Sequence, residues 1–198
     1  MNKNLLYDNR FLSALLWGIG HLILKIGRWK VVGEVPAHNK YVCVVAPHTS
    51  NWDFPIFIGL VGALRIRGRY LGKHTLFESP LGWLFYYLGG IPVDRSSPNA
   101  ADIVDQAVEA MEKDDRPLVL GIAPEGTRSG VSKWKTGFYR IAVAANLPIA
   151  RAFLDTKTRQ IGFGPTFYPT GDIKKDMAEI QAFFTDKQGI KPRNQIVD

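Results

Sequence analysis

The sequence predicts an α/β fold: a single-domain α/β sandwich with a mixed, largely buried sheet flanked by helices, plus an amphipathic helix at the N-terminus. Two observations carry this expectation. Short apolar runs alternate along the chain with longer stretches of helical periodicity, the pattern of a sheet covered by helices. A length of 198 residues, 46% of them hydrophobic, suits one domain with a substantial core and excludes a disordered chain.

Taken in order, "WKVVGEV" and "YVCVVA" are expected strands, and "FPIFIGLVGAL" a helix with Pro55 tolerated in its first turn. "RYLGK" reads as a short strand, and Leu76 to Leu88 as a helical stretch. Ser97 can cap and Pro98 can start the next helix, whose Ile103, Val104, Ala107, Val108 and Met111 recur at helical spacing. "PLVLGIA" is then a buried strand, "GFYRIAVAAN" a helix, "PIARAFL" a strand and "IGFGPTFY" a weaker one. "DIKKDMAEIQAFF" is a final amphipathic helix through Ile173, Met177, Ile180 and Phe184, followed by a polar tail. Repeats and linkers are absent.

The N-terminal stretch is apolar from Phe11 to Leu24 apart from Ser13 and His21, short of the ~20 residues that a spanning helix needs. It lacks a small-residue cleavage site, so a signal peptide is not expected. Lys3 and Arg10 stand before it, and Lys25, Arg28 and Lys30 after it. Two readings fit this pattern. In one the helix packs on the core. In the other, residues 1–27 form a membrane-interface helix, with Phe11, Leu15, Leu16, Trp17, Leu22 and Ile23 in lipid and the cations on anionic headgroups.

The net charge of +7 suits a nucleic acid, an anionic membrane surface or a phosphorylated substrate, and the basic residues are too scattered to choose among them. Cys43, the lone cysteine, reads as a small core residue. With one cysteine there is no internal disulfide and no multi-thiolate metal site, which fits a reducing, cytosolic setting.

Polar residues gather where the expected strands end. In "APHTSNWDFP", His48 lies just past "YVCVVA", at the carboxyl end of a strand, where open α/β sheets carry their ligand sites. Ser50, Asn51 or Asp53 can cap the following helix, so Asp53 alone can be read as a cap. His48 has no capping duty. A histidine whose ring nitrogen is held by a carboxylate has its tautomer fixed and can take a proton from a hydroxyl. No second His or Cys stands at a useful ligand spacing, so no metal is expected.

A second cluster stands in the same relation to its strand. After "PLVLGIA" comes "PEGTRSG", with Glu125, Thr127 and Arg128 around Gly126. The glycine lets backbone approach a ligand, and the planar guanidinium fork suits a phosphate. "LGGIPVDRS" adds Gly89, Gly90 and Arg95, and Lys73 ends the short strand in "YLGK". Lys73, Arg95 and Arg128 are thus expected to converge near His48 at one sheet edge. Neither a P-loop nor a dinucleotide-binding glycine motif occurs.

These blocks together resemble the glycerolipid acyltransferase family, the 1-acylglycerol-3-phosphate acyltransferases and their relatives. "HTSNWD" is similar to the family's His-x4-Asp block, "GGIPVDR" to its second block, "PEGTR" to its Glu-Gly-Thr-Arg block and "LPIARAF" to its fourth. The resemblance runs in order from Tyr41 to Asp155, so residues 28–198 would be the acyltransferase domain. It implies transfer of a fatty acyl group from an acyl thioester, acyl-CoA or acyl carrier protein, to the hydroxyl of a lysophospholipid. The acceptor most in keeping with the resemblance is 1-acylglycerol-3-phosphate, in phospholipid biosynthesis.

In that chemistry His48 would be the general base and Asp53 would orient and charge-stabilise it. Arg95 and Arg128, with Gly126 and Thr127, would hold the acceptor phosphate. Glu125 would organise that turn, and Lys73 and Gly90 would join the substrate site. No cofactor, metal or nucleic acid is implied. Because acceptor and product are lipids, the protein would sit peripherally on the cytoplasmic face of the cell membrane, against its anionic surface.

Three positions depart from the family pattern. Pro47 stands where relatives often carry Asn, Ala123 where an aromatic residue is frequent, and Arg151 where a second proline is usual. None removes a catalytic group; all bear on the acceptor and the acyl-chain pocket, so a different lysolipid or polar acceptor remains an alternative. A non-catalytic lipid-binding module would explain the charge and the amphipathic helix, but not His48 and Asp53 together. An ester hydrolase would need a nucleophile, and no Gly-x-Ser-x-Gly elbow is present.

Overall fold

The computed structural model describes residues 5–93, 100–126 and 134–191. Among them, seven strands form one sheet: β1 (Lys30–Val32), β2 (Lys40–Ala46), β3 (Gly68–Lys73), β4 (Gly90–Val93), β5 (Leu118–Ile122), β6 (Ile149–Asp155) and β7 (Gln160–Phe163). Their order is β1-β7-β6-β2-β5-β3-β4. Strands β2 to β6 run parallel; β7 turns back antiparallel to β6, and β1 pairs parallel to β7. The mixed sheet is as expected.

Helices cover both faces: α1 (Arg10–Ile26) and α2 (Asp53–Ala63) on one, α5 (Ala100–Glu112), α6 (Gly137–Ala144) and α7 (Ile173–Ala182) on the other. Successive side chains of a strand point to opposite faces. Val42 and Val44 therefore join Leu118 and Leu120 under Met111, Phe138, Ile141 and Ile180, whereas Tyr41 and Cys43 meet Leu60 and Leu24. Burial pushes the Cys43 thiol up to about 12, so it is neutral and inert at physiological pH.

Two elements differ from expectation. The stretch from Leu76 to Leu88 is not one helix but two, α3 (His74–Phe77) and α4 (Gly82–Tyr87). Pro80 has no N–H to donate and disfavours helical backbone at Ser79, so the turn breaks there. Gly82 then packs so closely that a Cβ on it would stand 2.0 Å from the Phe77 carbonyl oxygen. The second element is β4, whose few residues carry too little periodicity to be read as a strand and which gains its hydrogen bonds only by pairing with β3.

The N-terminal helix has two different sides. Its Gly20 lies against α2, where a Cβ would come within 2.4 Å of the Gly59 carbonyl oxygen. Across the same seam Ile23 packs on Gly59 and Leu16 on Gly62, and Leu24 is buried in the core. Leu16 and Ile23 thus face protein, not the outside. Phe11, Leu12, Leu15, Ile19, Leu22 and Ile26 form an exposed stripe at three- and four-residue spacing, with Phe11 85% and Ile26 74% exposed. An ion quartet fixes the start of this helix: Arg67 and Arg116 each bind both Asp8 and Asp114, at 2.6–3.1 Å.

Buried carboxylates make the fold acid-sensitive. Burial opposes ionisation of Asp176, but hydrogen bonds from the Thr170 hydroxyl and N–H and from the Tyr139 hydroxyl (2.7, 2.7 and 2.8 Å) outweigh it and hold its carboxyl below the usual range. A carboxylate whose folded pKa is depressed stabilises the fold above its unfolded pKa, about 3.9, and loses that contribution as pH falls through the folded value. Asp176→Asn should therefore lower stability at neutral pH by about 1.5–3 kcal/mol. The gap between the melting temperatures of wild type and variant should close progressively below about pH 4. A gap that stays constant down to about pH 2.5 would show that the Asp176 charge contributes nothing.

Candidate active site

The local sequence folds His48 and Asp53 into one unit. Strand β2 ends at Ala46, and the chain turns through "PHTSNW" into α2, of which Asp53 is the first residue. Asp53 is fully buried, and its Oδ2 accepts the N–H groups of Thr49 (2.6 Å) and Ser50 (2.7 Å). The carboxylate thus grips the loop that precedes it, and the positive end of α2 favours its charge. The same oxygen lies 3.2 Å from His48 Nδ1. With Nδ1–H donated to Asp53, the Nε2 lone pair is free to accept a proton. His48 is about a quarter exposed, so a ligand can reach it while its partner stays dry.

Strand β5 lies beside β2 in parallel, so the residues after Ile122 emerge at the same edge. Glu125 is buried there, and its Oε2 accepts the N–H of His48 at 3.1 Å. It thereby ties two loops together and fixes the backbone that carries the imidazole. Gly126 follows with φ +66°, a conformation that glycine adopts at no steric cost.

Lys73 ends β3 on this edge, two strands from β2, so about 10 Å separate the strand ends. One expectation is corrected. Gly90 pairs with Tyr70 at the opposite end of β4, because it is Val93 that pairs with Lys73. Gly90 is small to admit Phe77, whose ring would stand 2.6 Å from a Cβ there. It is a packing residue, away from the site. Arg95, Thr127 and Arg128 lie outside the described residues.

The fold adds residues that sequence patterns do not single out. The side chain of Lys135 lies across Gly126, its ammonium 3.3 Å from where a Cβ would stand, and its N–H donates to the Pro124 carbonyl at 2.8 Å. This places a cation directly over the Glu125–Gly126 turn. Its signal in the sequence is a lysine two residues before the α6 helix in "WKTG", too common a pattern to point to a site. Thr49 escapes sequence reasoning, and Ser50 is read there only as a possible helix cap, because it is their N–H groups and not their side chains that hold Asp53. Arg151 donates its Nε–H to the Pro165 carbonyl at 2.9 Å, and its guanidinium stacks on Phe183.

The described geometry is that of an α/β protein with a histidine held by a buried carboxylate at the carboxyl edge of a helix-covered sheet. The chain belongs to the Acyltransferase family, which it matches over residues 28–152. It is 29% identical to the 1-acyl-sn-glycerol-3-phosphate acyltransferase of Escherichia coli over 122 residues, 59% of this chain and 48% of that protein. It is 26% identical to the enzyme of the same name from Pseudomonas aeruginosa over 171 residues, 77% of this chain and 64% of that one. The chain therefore spans about half to two thirds of these relatives. The fold is shared with the crystal structure of the 1-acyl-sn-glycerophosphate acyltransferase of Thermotoga maritima. That match has a TM-score of 0.60 at 18% identity and covers 88% of this chain and 77% of that one.

Proposed function

We propose that the chain is an O-acyltransferase that moves a fatty acyl group from a thioester of coenzyme A or acyl carrier protein to a lysophospholipid hydroxyl, foremost that of 1-acylglycerol-3-phosphate. The observation that carries this reading is the His48–Asp53 pair, 3.2 Å apart with the carboxylate fully buried. The names of the curated relatives point to the same acceptor.

The chemistry follows from the pair. His48 Nε2 takes the proton of the acceptor hydroxyl as its oxygen bonds to the thioester carbonyl carbon, and Asp53 stabilises the imidazolium that forms. The tetrahedral intermediate collapses, the carbon–sulfur bond breaks, and the leaving thiolate takes the proton back. The base is regenerated and no acyl-enzyme is needed. Lys73, Lys135, Arg95 and Arg128 supply the positive field for the acceptor phosphate. Holding that phosphate fixes the hydroxyl beside Nε2, and orientation of this kind can supply several of the roughly 7–11 kcal/mol available to well-aligned reactants.

The reading includes a membrane. Among the described residues no helix is long and apolar enough to cross one. The exposed stripe of α1, flanked by Arg10, Lys25 and Arg28, has the make-up of a helix lying in the interface of an anionic leaflet, and we place that leaflet on the cytoplasmic side.

A panel of acceptors (glycerol 3-phosphate, 1-acylglycerol 3-phosphate and phosphate-free lysolipids), each with one acyl thioester and read by lipid mass spectrometry and thiol release, tests the function. Acylated product and thiol should appear together and only with a phosphate monoester acceptor. Thiol release without any acceptor would make the protein a thioesterase. In the active pair, Arg128→Ala should raise the KM for the acceptor about ten- to hundredfold, with a much smaller effect on the thioester. An effect confined to the thioester would mean that Arg128 serves the donor.

A further inference from the structure

We propose that the segment formed by residues 186–191, beyond the last helix, is a strap that positions the catalytic pair by gripping Thr49. The inference rests on the reading of His48 and Asp53 just given, and the strap itself lies outside the region that the family pattern covers.

Thr49 is the link between the strap and the pair. It follows His48 directly, it is buried, and its N–H makes the 2.6 Å bond to Asp53 Oδ2, the shorter of the two that hold that carboxylate from the loop. Its side chain faces the strap. Thr49 Oγ1 accepts the N–H of Lys191 at 3.1 Å. Gly189 lies flush against it, so that a Cβ on Gly189 would stand 2.4 Å from Oγ1 and 2.6 Å from Cγ2. Here a glycine is required by close approach, since any larger residue must push the threonine or lift the strap.

The strap is itself anchored on the end of β6, the parallel neighbour of β2. The Thr156 N–H donates to the Gln188 carbonyl at 2.8 Å, and its hydroxyl reaches the Gln188 and Gly189 carbonyls at 3.1 and 2.9 Å. The Gln188 N–H donates to Asp155 Oδ1 at 3.1 Å. The Lys187 ammonium lies over the rings of Phe153 and Phe183, and Ile190 packs on the core. A connected path of short contacts therefore runs from β6 through the strap to Thr49, Asp53 and the imidazole. Proton transfer tolerates only about half an ångström of misplacement, so a shift of Thr49 reaches the chemistry. Thr49 and Gly189 are positioning residues: neither needs to touch the substrate.

The test is steady-state kinetics and thermal melting of full-length Gly189→Ala, Thr49→Val and Thr49→Ser. Gly189→Ala should lower kcat roughly ten- to hundredfold while leaving the KM of both substrates within about twofold. Thr49→Val, which removes the acceptor of the Lys191 N–H, should lower kcat about tenfold, and Thr49→Ser, which keeps it, should restore most of the loss. If Gly189→Ala does not fold, the two Thr49 variants decide alone. Variants that melt lower but keep kcat would show that the strap is only structural and overturn the proposal. So would equal losses in Thr49→Val and Thr49→Ser. Full activity in His48→Ala would instead remove the reading beneath it, a result distinguishable because it concerns the base itself and not the strap.

Discussion

His48→Ala should cost about a hundred- to ten-thousandfold in kcat while leaving the melting temperature unchanged. The two halves of this result have different physical sources. Among the described residues, the imidazole is the group that Asp53 holds ready to take the hydroxyl proton, and general-base catalysis is typically worth about 10²–10⁴ in rate. The fold does not depend on the ring, because the contact that ties this residue to Glu125 is made by its backbone N–H, which alanine keeps. Asp53→Asn should behave differently. An amide oxygen can still accept from Thr49 and Ser50, so the loop keeps its shape, but the imidazolium loses its counter-charge. A small residual activity and normal binding of both substrates are expected. Product formation by lipid mass spectrometry, alongside melting curves, checks both variants, and near-wild-type turnover in His48→Ala would end the mechanism.

Gly20→Leu should be the most damaging change in the N-terminal helix, although glycine is a poor helix former. A Cβ at this position would meet the Gly59 carbonyl oxygen at 2.4 Å and the Ala63 nitrogen at 2.7 Å. These are backbone atoms of a packed helix and cannot rotate away, so α1 and α2 must separate. Overpacking of this kind costs about 1–3 kcal/mol, and at this chain length each kcal/mol is worth about 2–4 °C in Tm, so a fall of several degrees is expected. The opposite side of the same helix should show the reverse pattern. A triple change of Phe11, Leu15 and Leu22 to Ser leaves the α2 seam intact and should not lower Tm. It should weaken flotation with anionic vesicles about a hundredfold or more, given some 1.5–3 kcal/mol for each fully buried large side chain. Binding by the unaltered chain should also fall as salt rises. If the triple variant floats as well as wild type, the stripe is not the membrane contact.

Much of the site is legible in the chain's local patterns, because its residues are punctuation. Polar groups that follow apolar runs stand out, and "HTSNWD" and "PEGTR" each sit where a strand must end. Strand and helix periodicity likewise locates β2, β5, β6 and α7 closely. Gly90 shows the limit of such patterns. A glycine in a motif-like stretch carries the same sequence signal whether it faces a ligand or an aromatic ring. Only the pairing of β4 with β3 shows that this one accommodates Phe77 at the far end of the strand.

By itself the sequence determined the fold class and set His48 and Asp53 in one short block, since both are written in short-range patterns, and four such blocks in order carried the resemblance to the family. The tertiary structure alone decided what depends on contacts between distant segments. It set the strand order and the reversal at β7, and it revealed Glu125 as the tie between two loops. It brought Lys135 over Gly126 and the C-terminal strap onto Thr49. It also settled which side of the N-terminal helix faces protein. An apolar residue looks the same in sequence whether it meets another helix or lies exposed, and only the glycine seam with α2 separates Leu16 and Ile23 from Leu15 and Leu22.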